Sequence, residues 1–313
     1  MRIAGALAES APRRGPVILV SSACLALVSG CAHYTAERLV PAQTANRLDS
    51  RTLTDPALRA FIERNLGHTL PAWPLKSWDL QLLTLVAFYY SPTLDVARTR
   101  WSAANAAIIT AGARPNPTLA LVPAYSTNPP VGIGHGMPTI EFDVPIETAG
   151  KRAYRILEAR HAAEAARWNV ISTAWQVRRR LTGALLDYAV ARHRTGLLES
   201  ELQLQEQALQ RSEGELAAGA VAGSDLTAAR VQVAKTRLDL ETARADVIQA
   251  RASCAEALGV PLRAMEATAL RYEFDPANAS ALTSEEARRR ALQGRSDVLA
   301  ALAEYEAAQA ALQ

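Results

Sequence analysis

Three groups of residues in this chain of 313 residues have the types and spacing to do chemistry. The first is Cys31, which closes the run Val28-Ser29-Gly30-Cys31. Small residues at Ser29 and Gly30 admit a signal peptidase, and a thiol placed there takes a diacylglycerol, so lipidation is expected at Cys31. The second group is Glu141, Asp143 and Glu147, within Thr139-Ile140-Glu141-Phe142-Asp143-Val144-Pro145-Ile146-Glu147. Anions in a row can favour cations along a wet path. They lack the two contrasting environments that a general acid and a general base require. The third is the histidines His33, His68, His135, His161 and His193, whose scatter shows no metal-ligand spacing. Cys24, Cys31 and Cys254 are the only cysteines. With Cys24 in the expected leader and Cys31 acylated, neither a disulfide framework nor a cysteine zinc site is expected. There is no phosphate loop and no nucleophile elbow. The expectation is a protein with no catalytic residues, no metal and no cofactor, and not an enzyme.

The carboxylates are positioned by strand alternation. Side chains point to opposite faces with period two, so Ile140, Phe142, Val144 and Ile146 share one face and Glu141, Asp143 and Glu147 the other. Such a strand separates a greasy medium from water. The greasy medium is a core in a soluble sandwich and lipid in an outer-membrane barrel. Thr118 to Tyr125 reads as a partner strand, joined by a turn-rich loop from Ser126 to Met137. Two strands, about 118–125 and 139–147, fit one membrane hairpin.

The remaining sequence is helical and exported. Arg2, Arg13 and Arg14 precede an apolar stretch from Pro16 to Val28, too short for a spanning helix of roughly 20 residues. Residues 1–30 are read as a signal peptide. Ala32, the residue after the lipidated cysteine, directs such lipoproteins to the outer membrane. Residues 31–76 read as a lipidated, Pro-punctuated tether, with one short helix opened by Asp55-Pro56 and closed at Gly67. Hydrophobic residues make up 49% but aromatics only 5%, which argues for thin, closely packed helices. The net charge of +3 is dispersed along those helices, so no nucleic-acid footprint is present. A helix is expected from about Trp78 to Tyr90 with Ser77 as N-cap, broken at Ser91-Pro92 and continuing to about Ala113.

From Lys151 to Ala217 there is no proline, which predicts one helix about 100 Å long at 1.5 Å per residue. Val170, Ala174, Val177, Leu181, Ala184, Tyr188 and Ala191 trace a packing seam along it. A turn at Ala217 to Gly223 follows, with Ser224 or Asp225 expected to cap the returning helix. That helix carries a heptad: Leu226, Val233, Leu240, Val247 and Cys254 at one position, and Ala229, Thr236, Ala243, Ala250 and Ala257 three residues later. Cys254 is thereby a small buried hydrophobe. Leu258-Gly259-Val260-Pro261 ends the helix. Thr283-Ser284-Glu285-Glu286 is a capping box, and the helix after it repeats the start of the body at a shift of 204. Leu94 meets Val298, Trp101 meets Tyr305, Asn105 meets Gln309 and Ile108 meets Leu312.

The order helix, helix, strand, strand, long helix, helix and restart resembles the TolC-type outer membrane efflux family. Ser91-Pro92-Thr93-Leu94, Arg114-Pro115-Asn116-Pro117 and Val144 through Arg152 carry the likeness, with the turn at Gly219 and the Leu258-Gly259 ending. The resemblance implies a mainly α fold with a β-hairpin: long antiparallel coiled-coil helices and two amphipathic membrane-barrel strands, one full repeat of a trimeric α/β-barrel channel. Residues 77–282 then form the first repeat, with its helical hairpin at 151–258, and residues 283–313 the start of a second, truncated one. Glu141, Asp143 and Glu147 become pore-lining, and Ile140, Phe142, Val144 and Ile146 lipid-facing. Gly219, Val221, Gly223, Ser224 and Asp225 become a tip that docks a periplasmic adaptor, and through it an inner-membrane transporter. The implied protein is a homotrimeric exit duct of a tripartite efflux pump or type I export system. It is lipid-anchored in the outer membrane with its helices in the periplasm. A periplasmic adaptor or a structural coiled-coil lipoprotein is the alternative reading.

Overall fold

The computed structural model describes residue 38 and residues 40–313, other than 126, 129, 130, 133, 221, 267 and 273–284; at 137 and 138 only the backbone is described. The expected leader, the lipidation site Cys31, Val221 of the expected tip and Thr283-Ser284 of the capping box lie outside the described residues. The chain divides into two units, Met1–Asn46 and Arg47–Gln313. A short helix, α1 (Pro41–Asp49), opens the described part.

The second unit is arranged along one rail. Helix α5 (Lys151–Ala217) is 67 residues long. On it pack α3 (Leu80–Tyr90), α4 (Pro92–Ala111), the antiparallel α6 (Gly223–Leu258) and α8 (Ser296–Leu312), which follows α7 (Glu285–Gly294). The heptad of α6 is the seam. Leu226, Val233, Thr236, Leu240, Ala243, Ala250 and Cys254 are buried, and Ala229, Val247 and Ala257 are half-buried. Alternating large and small side chains let the backbones approach closely. Burial pushes the Cys254 thiol up to about 11, which suppresses the thiolate and leaves it inert. Across the seam Arg230 meets Glu213, Arg237 meets Glu206 and Arg244 meets Glu199, at 2.9, 2.7 and 3.0 Å. These exposed pairs recur every seven residues on both arms, so they fix register more than they add stability.

The apolar core sits where the middle of α5 meets the end of α6, α3 and the segment before it. Leu181, Leu185, Leu258, Leu83, Val86, Leu58, Ile62, Trp78 and Met265 are fully buried there. Helix α2 (Pro56–Leu66) is capped by the Asp55 carboxylate and closed by left-handed Gly67. Residues 51–76 are thus no tether: Leu53, Leu58, Ile62 and Leu70 are core residues. Arg51 reaches the ends of two helices, donating to the carbonyls of Tyr90 at 3.0 Å and Gly259 at 2.7 Å. A cation at two helix C-termini is stabilised by both dipoles. Its guanidinium also lies over the Tyr90 ring, 5.2 Å from the centroid. Tyr90 donates to the Thr52 carbonyl at 2.9 Å.

Two small sheets complete the unit. β1 (Ser77–Trp78) pairs in parallel with β4 (Ala269–Leu270), stitching the chain before the hairpin to the chain after it. Ser77 is therefore a strand residue and not the N-cap of α3; Asp79 caps it, accepting from the Leu82 amide at 2.8 Å. β2 (Thr118–Tyr125) and β3 (Gly136–Asp143) form an antiparallel ribbon, with Leu121 opposite Ile140 and Leu119 opposite Phe142. β3 starts earlier and ends earlier than the alternation predicts. Val144, Ile146 and Glu147 lie beyond it.

Gly259 has φ +72, and a Cβ on it would stand 2.9 Å from the Tyr90 carbonyl oxygen. Both the left-handed backbone and the close approach demand glycine. Gly259→Ala is expected to destabilise the protein by about 1–3 kcal/mol, read as a lower midpoint in denaturant unfolding followed by circular dichroism. An unchanged midpoint would show that the joint gives way without cost.

Candidate functional site

The β2–β3 ribbon has two chemically opposite faces. Directly paired residues share a face, so Leu119, Leu121 and Tyr125 join Ile140 and Phe142, while Thr118 and Ala120 join Asp143 and Glu141. The apolar face is open in the protomer: Leu119 is 72% exposed, Leu121 67%, Ile140 72% and Phe142 69%. A two-stranded ribbon with an uncovered oily face is marginal in water. Glu141 and Asp143 are exposed on the opposite face. Val144 and Ile146 are exposed too, but past Asp143 no ladder fixes their direction.

Glu147 behaves differently from the other two acids. It is half-buried and ion-paired with Arg155 of α5. Arg155 also donates to the carbonyls of Ala111 at 3.4 Å and Ala113 at 3.3 Å, and Arg152 donates to that of Gly112 at 2.7 Å. Arg152 and Arg155, in the first two turns of α5, oppose its own dipole, but here they cap the end of α4. Glu147 supplies the matching anion, so one clasp joins the ribbon, α4 and α5. Arg155 holds the Glu147 carboxyl below the ordinary carboxylate range by hydrogen bonding and charge. Before α5 the chain turns through left-handed Ala149 (φ 58) and Gly150 (φ 76). The geometry makes Glu147 a joint residue rather than an open wall carboxylate, because its charge is already satisfied.

The tip of the hairpin is compact. Gly219 is left-handed (φ 76), and the Ala220 amide donates back to the Glu215 carbonyl at 2.8 Å, closing α5 in a Schellman turn. Neither Ser224 nor Asp225 caps α6. The N-cap is Ala222, without a side-chain hydrogen bond, and the helix starts at Gly223. Ser224 and Asp225 fall in the first turn, exposed, with Asp225 placed favourably against the dipole. Gly219 and Gly223 are exposed as well.

The histidines hold one surprise. His161 and Glu164 of α5 and Glu306 of α8 bring one potential metal-ligating atom each within 4.8 Å of the others. Histidine spacing alone could not show this. His161-x-x-Glu164 is visible as a one-turn pair, but Glu306 arrives only through packing of α8 on α5. Among the described residues, no helix is long and apolar enough to cross a membrane.

The protein thus combines a coiled-coil hairpin with a ribbon that has one oily and one acidic face. The chain belongs to the outer membrane efflux protein family: the family model matches residues 87–260, more than half of its length. It is 28% identical over 113 residues to the cobalt-zinc-cadmium resistance protein CzcC of Cupriavidus metallidurans, a match spanning 36% of this chain and 27% of that one. The fold is that of the outer-membrane channel OprN, with a TM-score of 0.63 at 18% identity over 90% of this chain and 63% of that chain. It is shared also with the outer membrane protein VceC of Vibrio cholerae, with a TM-score of 0.59 at 19% identity over 74% and 57%. The matched region is thus about a quarter of the curated relative and less than two thirds of these channels.

The clasp carries a pH dependence of defined sign. Because the folded pKa of Glu147 lies below its unfolded value, the ion pair contributes above the ordinary carboxylate range and is lost as pH falls through the lowered value. Amide-exchange protection around residues 147–155, corrected for intrinsic rates, is expected to drop across that acid window. Glu147→Gln should remove the step and lower protection already at neutral pH. A variant that kept the acid step would place its origin elsewhere.

Proposed function

We propose that this chain builds part of a trimeric outer-membrane duct, the exit of an efflux or export system. Three such protomers bring their ribbons side by side into one barrel wall and their hairpins into a tunnel below it. The duct conducts and does not catalyse: it replaces a lipid barrier with a wet path. One observation carries the reading, the exposed oily face of the β2–β3 ribbon backed by Glu141 and Asp143. Lipid covers the first face and water the second. Each eight-residue strand is about 26 Å long. Strands tilted as in a barrel need the Val144–Ile146 continuation to cover an apolar band about 25 Å tall.

The other parts follow from that placement. Cys31, acylated, anchors the chain to the outer membrane, and the helices extend into the periplasm. The tip formed by Gly219, Val221, Gly223, Ser224 and Asp225 meets a periplasmic adaptor that links the duct to an inner-membrane transporter. Glu141 and Asp143 favour cationic cargo, and the name of the CzcC relative, a cobalt-zinc-cadmium resistance protein, points the same way. Residues 283–313 open a second repeat. The break between Gly294 and Ser296 stands in it where that between Tyr90 and Pro92 stands in the first.

Membrane placement is tested by charge scanning along the ribbon. Ile140 pairs near the ribbon's middle and Phe142 near its end. Ile140→Lys is expected to cost about 2–4 kcal/mol of membrane assembly, and Phe142→Lys less, since the penalty falls toward the interface. Heat-resistant trimer recovered from outer-membrane fractions reports the effect, with Glu141→Gln as the silent control. Equal tolerance of all three would refute lipid contact. Incorporation of labelled palmitate, abolished in Cys31→Ser, checks the anchor separately.

A further inference from the structure

His161 Nδ1 lies 3.0 Å from Glu306 Oε2, across the interface of α5 and α8. It is shielded from solvent, yet it makes no hydrogen bond, because the approach is out of line. A nitrogen lone pair and a carboxylate oxygen repel at that distance unless something positive lies between them. An imidazolium would supply that charge as an ion pair, although Nδ1 is out of line for a hydrogen bond. A metal ion beside both atoms is not bound by that line. Glu164, one turn after His161 on α5, adds a second carboxylate within 4.8 Å of the other two donors.

We propose that His161, Glu164 and Glu306 form a divalent transition-metal site of the zinc class that pins α8 to α5. One imidazole nitrogen with two carboxylates suits zinc, cobalt or manganese; calcium and magnesium prefer oxygen alone. Two donors 3.0 Å apart, each about 2.0–2.1 Å from a shared ion, subtend roughly 90–95° there. That angle is ordinary for a coordination edge, and water completes the sphere. The side chains are 25% exposed for His161 and 44% for Glu306, so the cluster lies at the edge of the interface, close to solvent. The site has a mechanical purpose as well. The buried residues of α8 are Ala300, Ala303 and Ala310, which pack closely but impose little direction. A metal bridge adds a strong, directional contact to a seam otherwise made of alanines. It neither needs nor tests the duct reading.

The purified full chain in detergent, stripped with chelator and carrying Cys254→Ser, is titrated with Zn²⁺ by calorimetry and with Co²⁺ by visible absorption. Expected are one saturable equivalent per chain, cobalt bands of an N/O site, and a rise in Tm with Zn²⁺ that Mg²⁺ does not give. His161→Gln and Glu306→Gln are each expected to weaken Zn²⁺ more than about 100-fold, beyond the loss of an outer-shell partner, and to abolish the Tm rise. Metal-free Tm should stay near the parent value. Should either variant misfold by circular dichroism, the exposed Glu164→Gln carries the test with the same expectation. Absence of saturable Zn²⁺ binding, or binding left intact by these substitutions, overturns the site.

Discussion

Helix α5 has more apolar length than any single neighbour can cover, and that mismatch organises the protein. A helix of 67 residues gains little from its own hydrogen bonds alone; it persists because its seams are buried. Helix α6 covers one stretch with a seven-residue repeat, and α4 and α8 cover others. Alanine dominates these seams because close backbone approach, not bulk, supplies the contact. The bulky side chains are saved for one place, the knot of Leu181, Leu185, Leu258, Trp78 and Met265, where four segments meet and the rail thickens.

Where the shorter helices stop, arginine finishes them. Arg51 serves the ends of α3 and α6, and Arg152 and Arg155 serve the end of α4. Helix ends inside a packed bundle leave carbonyls that water reaches poorly. A planar, always charged donor fork can satisfy several at once. The consequence is that helix joints here are electrostatic, with glycine at Gly259 only making room. Such joints keep shape where apolar packing is thin, as it is between the ribbon and α5.

Local patterns in the sequence carry the long helix, the heptad, the left-handed stop at Gly67 and the two-faced ribbon. Each depends on residues within a few turns of one another. What escaped depends on distance. Residues 31–76 read as a Pro-punctuated tether, but Leu53, Leu58 and Ile62 join the core cluster, with α2 packed on α3. The β1–β4 pairing joins strands of two residues each, too short for any periodicity. Glu147 looked like the next residue of an acidic face until Arg155 claimed it, and Glu306 is unremarkable until α8 lies on α5. At the tip, Ser224 and Asp225 have the chemistry of caps, but the N-cap falls at Ala222, two residues before Ser224 and three before Asp225.

The same division separates what the protomer satisfies from what it leaves open. Its polar groups are largely settled internally: arginines on carbonyls, acids on arginines, hairpin arms in register. Its apolar surface is not. Besides the ribbon, Trp175, Val190, Leu197, Leu204, Val231, Leu238 and Ile248 stand exposed on α5 and α6. Scattered singly such residues need no explanation, but strung along two antiparallel arms they form strips. In the proposed assembly neighbouring hairpins cover these strips while lipid covers the ribbon. In that proposal the outer side of the ribbon meets acyl chains rather than a protein neighbour. A one-sided ribbon can also lay its oily face on a soluble core and keep Glu141 and Asp143 wet; among the described residues nothing covers that face, and the proposed assembly therefore turns it to lipid.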